Sequence, residues 1–365
     1  MPVLPHDIHM SVIEAVYRSS QSHFIDYTTL RACALVCRAW APIAQRLLFR
    51  RGLQHWDYWY PEDRAPQLFL DALAQNPSLG AHVRSLTFFV VSRARSPLPT
   101  VEGFIAVLQR CPNLARLTFR ADREFAVKEL ERIRDLKLNV KVLLSAVWTG
   151  RANMQLLALW SGSIRYTSVC VTHEKPLEAG PPPPLLQGEV PITLHGIDIQ
   201  KNLGLRMIDV LFPSLDHRAP ELRYLKADGL CAASLDQIDV IATNATFFRT
   251  VVGVNHLPEG VFALMTGLEE VILLQTPRPT LKLPRSIRHL GLHPTSGDHM
   301  MHCEVERIFD FMRNLPELQL VSLTRLVEQW TIDLFRDTCA EMGIDLIVYE
   351  DWQSFHRPEY VDWIG

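Results

Sequence analysis

From about residue 80 onward, apolar residues recur along the chain in a short pattern, apolar-x-x-apolar-x-apolar. The last two apolar positions are separated by one residue, which is the spacing of one face of a β-strand. Most copies lie roughly 20–31 residues apart, a period typical of repeats that combine one strand with one helix. The pattern therefore predicts a series of short buried strands. The clear copies begin at Val83, Leu114, Ile164, Leu194, Leu222, Leu268, Ile287 and Leu318, and residues 140–144 and 343–348 fit more loosely.

The segments between these copies show apolar residues at helical spacing. A proline often separates such a segment from the next strand, as in Cys111-Pro112-Asn113-Leu114, because proline ends a helix and the leucine opens the buried strand face. Alternating short strands and helices predict an α/β fold. A doubly wound sheet would alternate in the same way, but the recurring motif and the lack of a glycine-rich phosphate-binding turn favour an irregular solenoid. Helices are predicted over 101–109, 152–160, 235–242, 260–265, 305–313 and 332–341.

Residues 1–52 have helical spacing only, and they predict three short helices. The first is expected from His6 to Arg18, and the second is apolar on nearly all sides. Three short helices cannot bury that much apolar surface among themselves, so part of it is expected to meet another chain or the C-terminal region. The apolar positions are Ile8, Val12, Ile13 and Val16 in the first helix, Leu30, Cys33, Ala34 and Cys37 in the second, and Trp40, Ile43, Ala44, Leu47 and Leu48 in the third.

The rest of the chain divides by composition. Residues 53–80 are dense in aromatic side chains, include a helical stretch at 65–74, and form a junction. Residues 81–350 form the repeat domain, which a proline-rich stretch near 174–191 interrupts. That stretch can form neither helix nor ladder, and it is either an exposed inserted loop or a proline-rich recognition segment. Residues 351–365 form a polar and aromatic tail that closes the last repeat.

Composition narrows the classes of protein to consider. Apolar residues make up 48% and charged residues 21% of the 365 residues, which is typical of a chain that folds. The formal charge of −3 includes no long block of like charges, so no nucleic-acid partner is expected. No apolar run is long enough to span a bilayer and no secretory signal is present, so we expect no membrane partner and an intracellular location, cytoplasmic or nuclear. The seven widely spaced cysteines are expected to be reduced.

The N-terminal residues resemble a known family. Leu4-Pro5, Ile8, the segment Leu35-Val36-Cys37-Arg38-Ala39-Trp40 and the later Leu48-Phe49-Arg50 are similar to the F-box, a three-helix unit with a Leu-Pro start and a Val-Cys-x-x-Trp stretch. The resemblance covers about residues 4–52 and is strongest to F-boxes of fungal proteins. A longer polar connection at 19–26 departs from the family pattern. The repeat region resembles the leucine-rich-repeat regions often found behind F-boxes, but its repeats are irregular and the asparagine ladder of regular repeats is missing.

The resemblance implies a function. F-box modules bind the Skp-type adaptor of cullin–RING ubiquitin ligases, and the repeats behind them bind the protein to be ubiquitinated. The chain would then recruit an unidentified protein substrate, with catalysis in other chains. The alternative is a repeat scaffold for protein–protein interaction without a role in ubiquitination. Carried over to this sequence, the adaptor-binding residues are Leu4, Pro5, Ile8, Leu35, Val36, Cys37 and Trp40; Trp40 could equally stiffen the module's own core.

Residues with catalytic or metal-binding potential form no convincing motif. No nucleophile elbow and no His-Glu-x-x-His helix is present, so we predict that the chain is not an enzyme and uses no cofactor or metal. A group of His289, His293, His299, His302 and Cys303 has ligands that suit zinc but lacks a second close pair. Arginines recur beside the strand motif and could line a basic face for an acidic target, or be ordinary solvated positions. They are Arg84, Arg116, Arg165, Arg223 and Arg288.

Overall fold

The structure is a computed structural model that describes most of the chain and separates it into two compact units, with the boundary between Ile164 and Arg165. In the described part of the chain, no helix combines the length and apolar character needed to cross a bilayer. The described residues are 6–19, 27–52, 65–90, 100–121, 123–145, 150–170, 194–200, 222–226, 241–253, 259–274, 281–292, 302–324 and 327–349.

The first unit begins with three helices and continues with alternating strands and helices. The three predicted N-terminal helices are observed, and the first runs one residue beyond its predicted end. The helices are α1 (His6–Ser19), α2 (Tyr27–Val36), α3 (Trp40–Arg50), α4 (Ala65–Gln75), α5 (Val101–Arg110), α6 (Val127–Asp135) and α7 (Gly150–Leu159), with a 3-10 helix at Pro77–His82. The strands are β1 (Arg51–Gly52), β2 (Ser85–Val90), β3 (Arg116–Ala121) and β4 (Val142–Ser145).

The second unit has the same alternation of strands and helices. Its helices among the described residues are α8 (Glu259–Leu264), α9 (His302–Arg313) and α10 (Gln329–Met342), with a 3-10 helix at Ala245–Phe247. Its strands are β5 (Tyr166–Cys170), β6 (Gly196–Gln200), β7 (Tyr224–Lys226), β8 (Thr250–Val252), β9 (Glu270–Leu273), β10 (His289–Leu292), β11 (Leu320–Thr324) and β12 (Asp345–Tyr349).

Every strand pairs in parallel with the strand that follows it in the chain. This holds from β1 to β4 in the first unit and from β5 to β12 in the second. A doubly wound sheet would reverse its strand order at a switch point, and the described strands of both units keep sequential order. The predicted α/β architecture of alternating strands and helices is confirmed, and a long parallel sheet in sequential order is the arrangement of a repeat solenoid.

The repeated motif sets the register of the strands. Its second apolar position aligns across neighbours, so that Leu86 lies beside Leu117 and Leu117 beside Leu143. These side chains are almost completely buried, which identifies the motif's apolar face as the core face of each sheet. The same alignment joins Leu225, Val251, Val271, Leu290 and Val321 in the second unit.

The residue before each strand supplies a hydrogen bond that ties one repeat to the next. In the first unit, the carbonyl oxygen of Arg84 accepts the backbone N–H groups of both Ala115 and Arg116, at 2.9 Å each. Because the same bond pair recurs at successive repeats, each strand begins level with its neighbour and the backbone groups before it are satisfied. In the second unit, the accepting carbonyls belong to Arg165, His195, Arg223, Arg249, Glu269 and Arg288.

One strand and one α-helix of the repeat region, besides the short 3-10 helix at Ala245–Phe247, were not predicted. Strand β8 lies inside a copy of the motif in which Phe248 and Val251 take the first two apolar positions. The third position is Gly253, so the copy was not recognised. Helix α6 is rich in charged residues, and its buried side chains are Leu130 and Ile133. Of the predicted helices, 235–242 lies almost entirely outside the described residues, and the other five are confirmed.

The start of helix α6 is held by a buried amide and a carboxylate. Gln155 donates to the Phe125 carbonyl at 2.9 Å and accepts its N–H at 2.8 Å, so its buried side chain satisfies the backbone there. Glu129 accepts the Ala126 N–H at 2.7 Å and pairs with both terminal nitrogens of Arg123, at 2.7 and 3.0 Å. Burial raises the pKa of Glu129, but the Arg123 and Ala126 hydrogen bonds lower it more, so its pKa lies below the usual 4.5.

Glu129→Gln is expected to lower the free energy of unfolding by about 1 kcal/mol at neutral pH. Because the folded-state pKa lies below the unfolded one, this stabilisation is present above pH 4.5 and is lost as pH falls through the folded-state pKa. Urea unfolding of both proteins at several pH values measures the effect, and the two curves should converge in acid. A difference that stays constant with pH would contradict the assigned role of the carboxylate.

Candidate functional site

The three N-terminal helices enclose a small apolar core of their own. Short backbone bonds fix the connection between α2 and α3, where the Cys37 carbonyl accepts the N–H groups of Trp40 and Ala41 at 3.1 Å each. Arg46 on α3 also reaches Glu14 on α1 at 3.4 Å, a partly exposed pair of modest strength. The core consists of Ile13, Leu30, Cys33, Ile43, Ala44 and Leu47, with Met10, Ala34, Trp40 and Leu48 packed against it while partly buried.

Among the described side chains of the three N-terminal helices, four large apolar ones are exposed outside the core. Ile8 and Val12 are 42% and 44% exposed, and they lie one turn apart on the same side of α1. Leu35 and Val36, at the end of α2, are 87% and 61% exposed. Large apolar groups concentrated on one small unit are typical of a surface that another protein covers. These four residues are called the apolar patch below.

The structure distinguishes among the residues that the sequence suggested for adaptor binding. Leu4 and Pro5 lie outside the described residues. Ile8, Leu35 and Val36 are exposed, as is the free thiol of Cys37. Trp40 instead packs against the core, which is the structural contribution considered for it.

The apolar residues of helix α1 divide between the core and the surface. Of the members of the predicted stripe whose burial is described, only Ile13 is buried, while Ile8 and Val12 are exposed. Four apolar residues span a wider arc of the helix than two short neighbouring helices can cover. Val12 was therefore missed as a surface residue, although its position one turn after Ile8 was a usable signal.

A second set of functional groups lies on the sheet of the second unit, on the face opposite the helices. His289 Nδ1 is 2.5 Å from Glu270 Oε1, and His289 Nε2 is 2.8 Å from Ser322 Oγ. Glu270 Oε2 also accepts the Thr250 hydroxyl at 2.9 Å. Burial, and then the negative charge of Glu270, raises the pKa of Tyr349 on the last strand. Four strands thus contribute to one hydrogen-bonded row.

The order carboxylate, imidazole, serine is that of an activated nucleophile, which would also need an accessible serine hydroxyl. Ser322 is fully buried and lies inside β11, which pairs with β10 on one side and β12 on the other. Its backbone belongs to the parallel ladders on both sides of β11. In this geometry the row joins neighbouring strands to each other, and its serine hydroxyl is buried.

A buried ion pair lies on the same face of the sheet. Lys226 Nζ is 3.2 Å from Asp198 Oδ2, and the two side chains are only 12% and 7% exposed. The Ser168 hydroxyl is 3.4 Å from the same Asp198 oxygen. The three residues occupy equivalent positions on β5, β6 and β7. Periodicity does not predict this group, because its members are about thirty residues apart and the polar positions of the repeat vary from copy to copy.

The histidine and cysteine group considered for zinc is not assembled among the described residues. His289 is engaged by Glu270 and Ser322 on the sheet, whereas His302 begins helix α9. His293 and His299 lie outside the described residues. In the described part of the chain, no group of three or more potential ligands lies close enough to hold a metal ion.

The recurring arginines differ in position. Arg84, Arg165, Arg223 and Arg288 precede strands, but Arg116 is the first residue of β3 itself. The sequence analysis did not include Arg249, which occupies the position before β8 and donates to the Gly267 carbonyl at 2.6 Å. Some are already paired, since Arg288 lies 3.5 Å from Glu317. Whether they form a face for an acidic target stays a prediction.

Comparison with known proteins leaves the family of this chain open. No protein-family model and no curated protein matches it. Among solved structures, it is similar to one described as "Crystal structure of Rad7 and Elc1 complex in yeast", with a TM-score of 0.35 and 11% sequence identity. That similarity covers 93% of this chain and 92% of the other. At this TM-score and identity, the similarity establishes neither a shared fold nor a shared family.

Proposed function

We propose that this chain is a substrate-recognition adaptor of a cullin–RING ubiquitin ligase. Its N-terminal helices, residues 1–52, act as an F-box and bind a Skp-type adaptor protein, and its repeats bind the protein to be ubiquitinated. The exposure of Leu35 and Val36 at the end of α2 is the observation that carries the proposal. In this function the chain is intracellular and catalyses no reaction itself.

The energetics of the apolar patch support binding to a folded partner. Fully burying a leucine or valine side chain is worth about 1.5–3 kcal/mol relative to leaving it in water. The small core of the N-terminal helices already accounts for six buried residues, and none belongs to the patch. Covering the patch would therefore add binding energy without rearranging that core.

The position of the patch agrees with the sequence resemblance. Leu35, Val36 and Cys37 are the residues through which the sequence resembles the adaptor-binding segment of the F-box, and they are exposed together. A core role would have placed them among Leu30, Cys33 and Ile43. Their exposure supports an interface more than a helical cap that serves only the repeat domain.

Val36→Asp and Leu35→Asn are each expected to weaken binding to a Skp-type adaptor by at least about tenfold. Both residues are exposed, so circular dichroism and the urea midpoint should stay close to wild type. The neutral asparagine separates the loss of apolar contact from the effect of a negative charge near the end of a helix. Isothermal titration of the purified full chain with the adaptor gives the affinities.

Two matched substitutions serve as controls. Val127→Asp and Leu264→Asn make the same chemical changes at exposed positions on α6 and α8, which are not part of the N-terminal helices. They should leave adaptor binding within about twofold of wild type. The Leu4→Ala/Pro5→Ala variant tests the Leu-Pro start that the sequence resemblance implies.

The experiment has a result that would reject the proposal. A well-folded wild-type chain that does not co-purify with the adaptor after co-expression would refute the ligase role. A repeat scaffold for other protein–protein interactions would then remain. Wild-type binding that is unchanged by both patch variants would instead place the adaptor contact on other residues and refute the role of the patch.

A further inference from the structure

The second unit contains an open cleft outside the surfaces described above. It lies between helix α8 and the segment 281–286 that leads into β10, and its volume is about 570 Å³. This is within the range of clefts that hold small ligands or a few side chains of a peptide. Its lining includes Gly260, Ala263, Lys282, Leu283, Pro284 and Arg285.

The charge of the cleft is entirely positive. Lys282 and Arg285 are the charged residues in its lining, and both are exposed. Neither makes an ion pair or a side-chain hydrogen bond with any other residue that the structure describes. Two cations that line one cleft give it a positive potential, which favours an anionic ligand.

Nearby charges do not neutralise this pair. Arg288 follows three residues after Arg285 and is already 3.5 Å from Glu317. Glu269, the residue before β9, is 3.9 Å from Arg249. Glu269 and Glu317 thus each lie near an arginine other than Lys282 and Arg285 of the cleft.

The rest of the lining combines apolar side chains with two hydroxyl residues, Thr266 and Ser286. Ala263, Leu283 and Pro284 contribute carbon surface between the two cations and helix α8. The backbone of Gly260 adds no side chain, and a Cβ atom built there would meet no other atom within 4 Å. A ligand with both an acidic and an apolar group fits this surface better than a simple anion does.

We propose that this cleft binds an acidic segment of a partner protein. Glutamate or aspartate carboxylates would pair with Lys282 and Arg285, and an apolar side chain of the segment would lie on Leu283 and Pro284. The inference deepens the proposed function by naming the class of target, and it rests on that function only in calling this partner a target. Binding of the segment should weaken as salt is raised, because exposed ion pairs are screened.

The test measures peptide binding directly, with the full-length chain and no adaptor. The probe is a fluorescein-labelled peptide of alternating glutamate and leucine, followed by fluorescence anisotropy. A glutamine–leucine peptide of equal length and a single-stranded oligonucleotide of equal charge are the comparison ligands. The glutamate peptide is expected to bind at least about tenfold more tightly than either.

Two variants locate the binding site. Lys282→Glu/Arg285→Glu reverses the charge of the cleft, and Gly260→Trp fills it with a side chain that the open space above Gly260 can accept. Each is expected to weaken the glutamate peptide at least about tenfold. Arg110→Glu/Arg134→Glu makes the same change in net charge at exposed positions of the first unit and should have less than about a twofold effect.

Every outcome bears on the proposal. Loss of binding in both cleft variants, with the control unaffected, would establish the site. Equal binding of the glutamine peptide, tighter binding of the oligonucleotide, or no effect of the cleft variants would overturn it. The cleft variants should still bind the Skp-type adaptor. A wild-type chain that binds the peptide but not the adaptor would reject the proposed function and leave the cleft assignment standing.

Discussion

Phe104→Ala is expected to lower the free energy of unfolding by about 3–5 kcal/mol. Phe104 lies on α5 with no exposed surface, and its ring centroid is 5.1 Å from Phe88, 4.9 Å from Phe119 and 6.0 Å from Phe125. The four rings join β2, α5, β3 and the start of α6. Removing the central ring leaves a cavity and also breaks three aromatic contacts, each worth about 0.5–1.5 kcal/mol beyond its buried area.

Urea unfolding followed by circular dichroism gives the change for Phe104→Ala, and hydrogen exchange locates it. Amide protons of β2 and β3 should lose protection, because they lie next to the cavity. Phe104→Leu should lose clearly less stability, since it refills part of the space. Gln109→Ala, at an exposed position of the same helix, should stay within about 0.5 kcal/mol of wild type. A Phe104→Ala loss as small as that of the control would contradict the assigned core of the first unit.

Lys226→Met is expected to destabilise the second unit by about 3–5 kcal/mol. The Lys226 ammonium is 3.2 Å from Asp198, and both side chains are almost completely buried. The substitution keeps the length of the side chain but removes the ammonium group that faces the Asp198 carboxylate, which is only 7% exposed. An uncompensated buried charge lowers the free energy of unfolding by far more than the small net stabilisation that the pair itself provides.

The double variant Asp198→Asn/Lys226→Met separates this explanation from a packing defect. If the loss comes from the unpaired charge, the double variant should recover at least half of it, because asparagine carries no charge and can still bond to Ser168. Lys282→Met, at an exposed lysine of the same unit, should have an effect within about 0.5 kcal/mol. A double variant as unstable as Lys226→Met would show that the lysine acts through its shape. Thermal and urea unfolding measure both variants.

The apolar pattern predicted the repeat region well because every strand must place apolar side chains on its buried face. Each strand has one face against the helices, so Leu117 and Phe119 must both be apolar, and the same holds for Leu290 and Leu292. The prediction failed where a residue without an apolar side chain occupies a position of the buried face. Gly253 closes β8 with a positive φ of 78° and hid that strand from the pattern.

The candidate docking residues could be predicted only in part. The excess of apolar residues in α2 indicated that some would be exposed, but periodicity did not show which ones. Burial in three short helices depends on the angles at which they meet, and these angles place Cys33 in the core and Leu35 in solvent. Val12 shows the same limit, since its spacing fitted the buried face of α1 as well as Ile13 did.

By itself, the sequence determined the type and order of the elements. The spacing of apolar residues, together with the prolines that end helices, is a local property that the chain carries wherever its parts meet. Parallel stacking of strands in sequential order then brought together groups far apart in the chain: Glu270, His289 and Ser322 in one row, and Asp198 beside Lys226. Only the tertiary structure decided these contacts, because the register between strands depends on how whole repeats pack and polar positions carry no periodic signal.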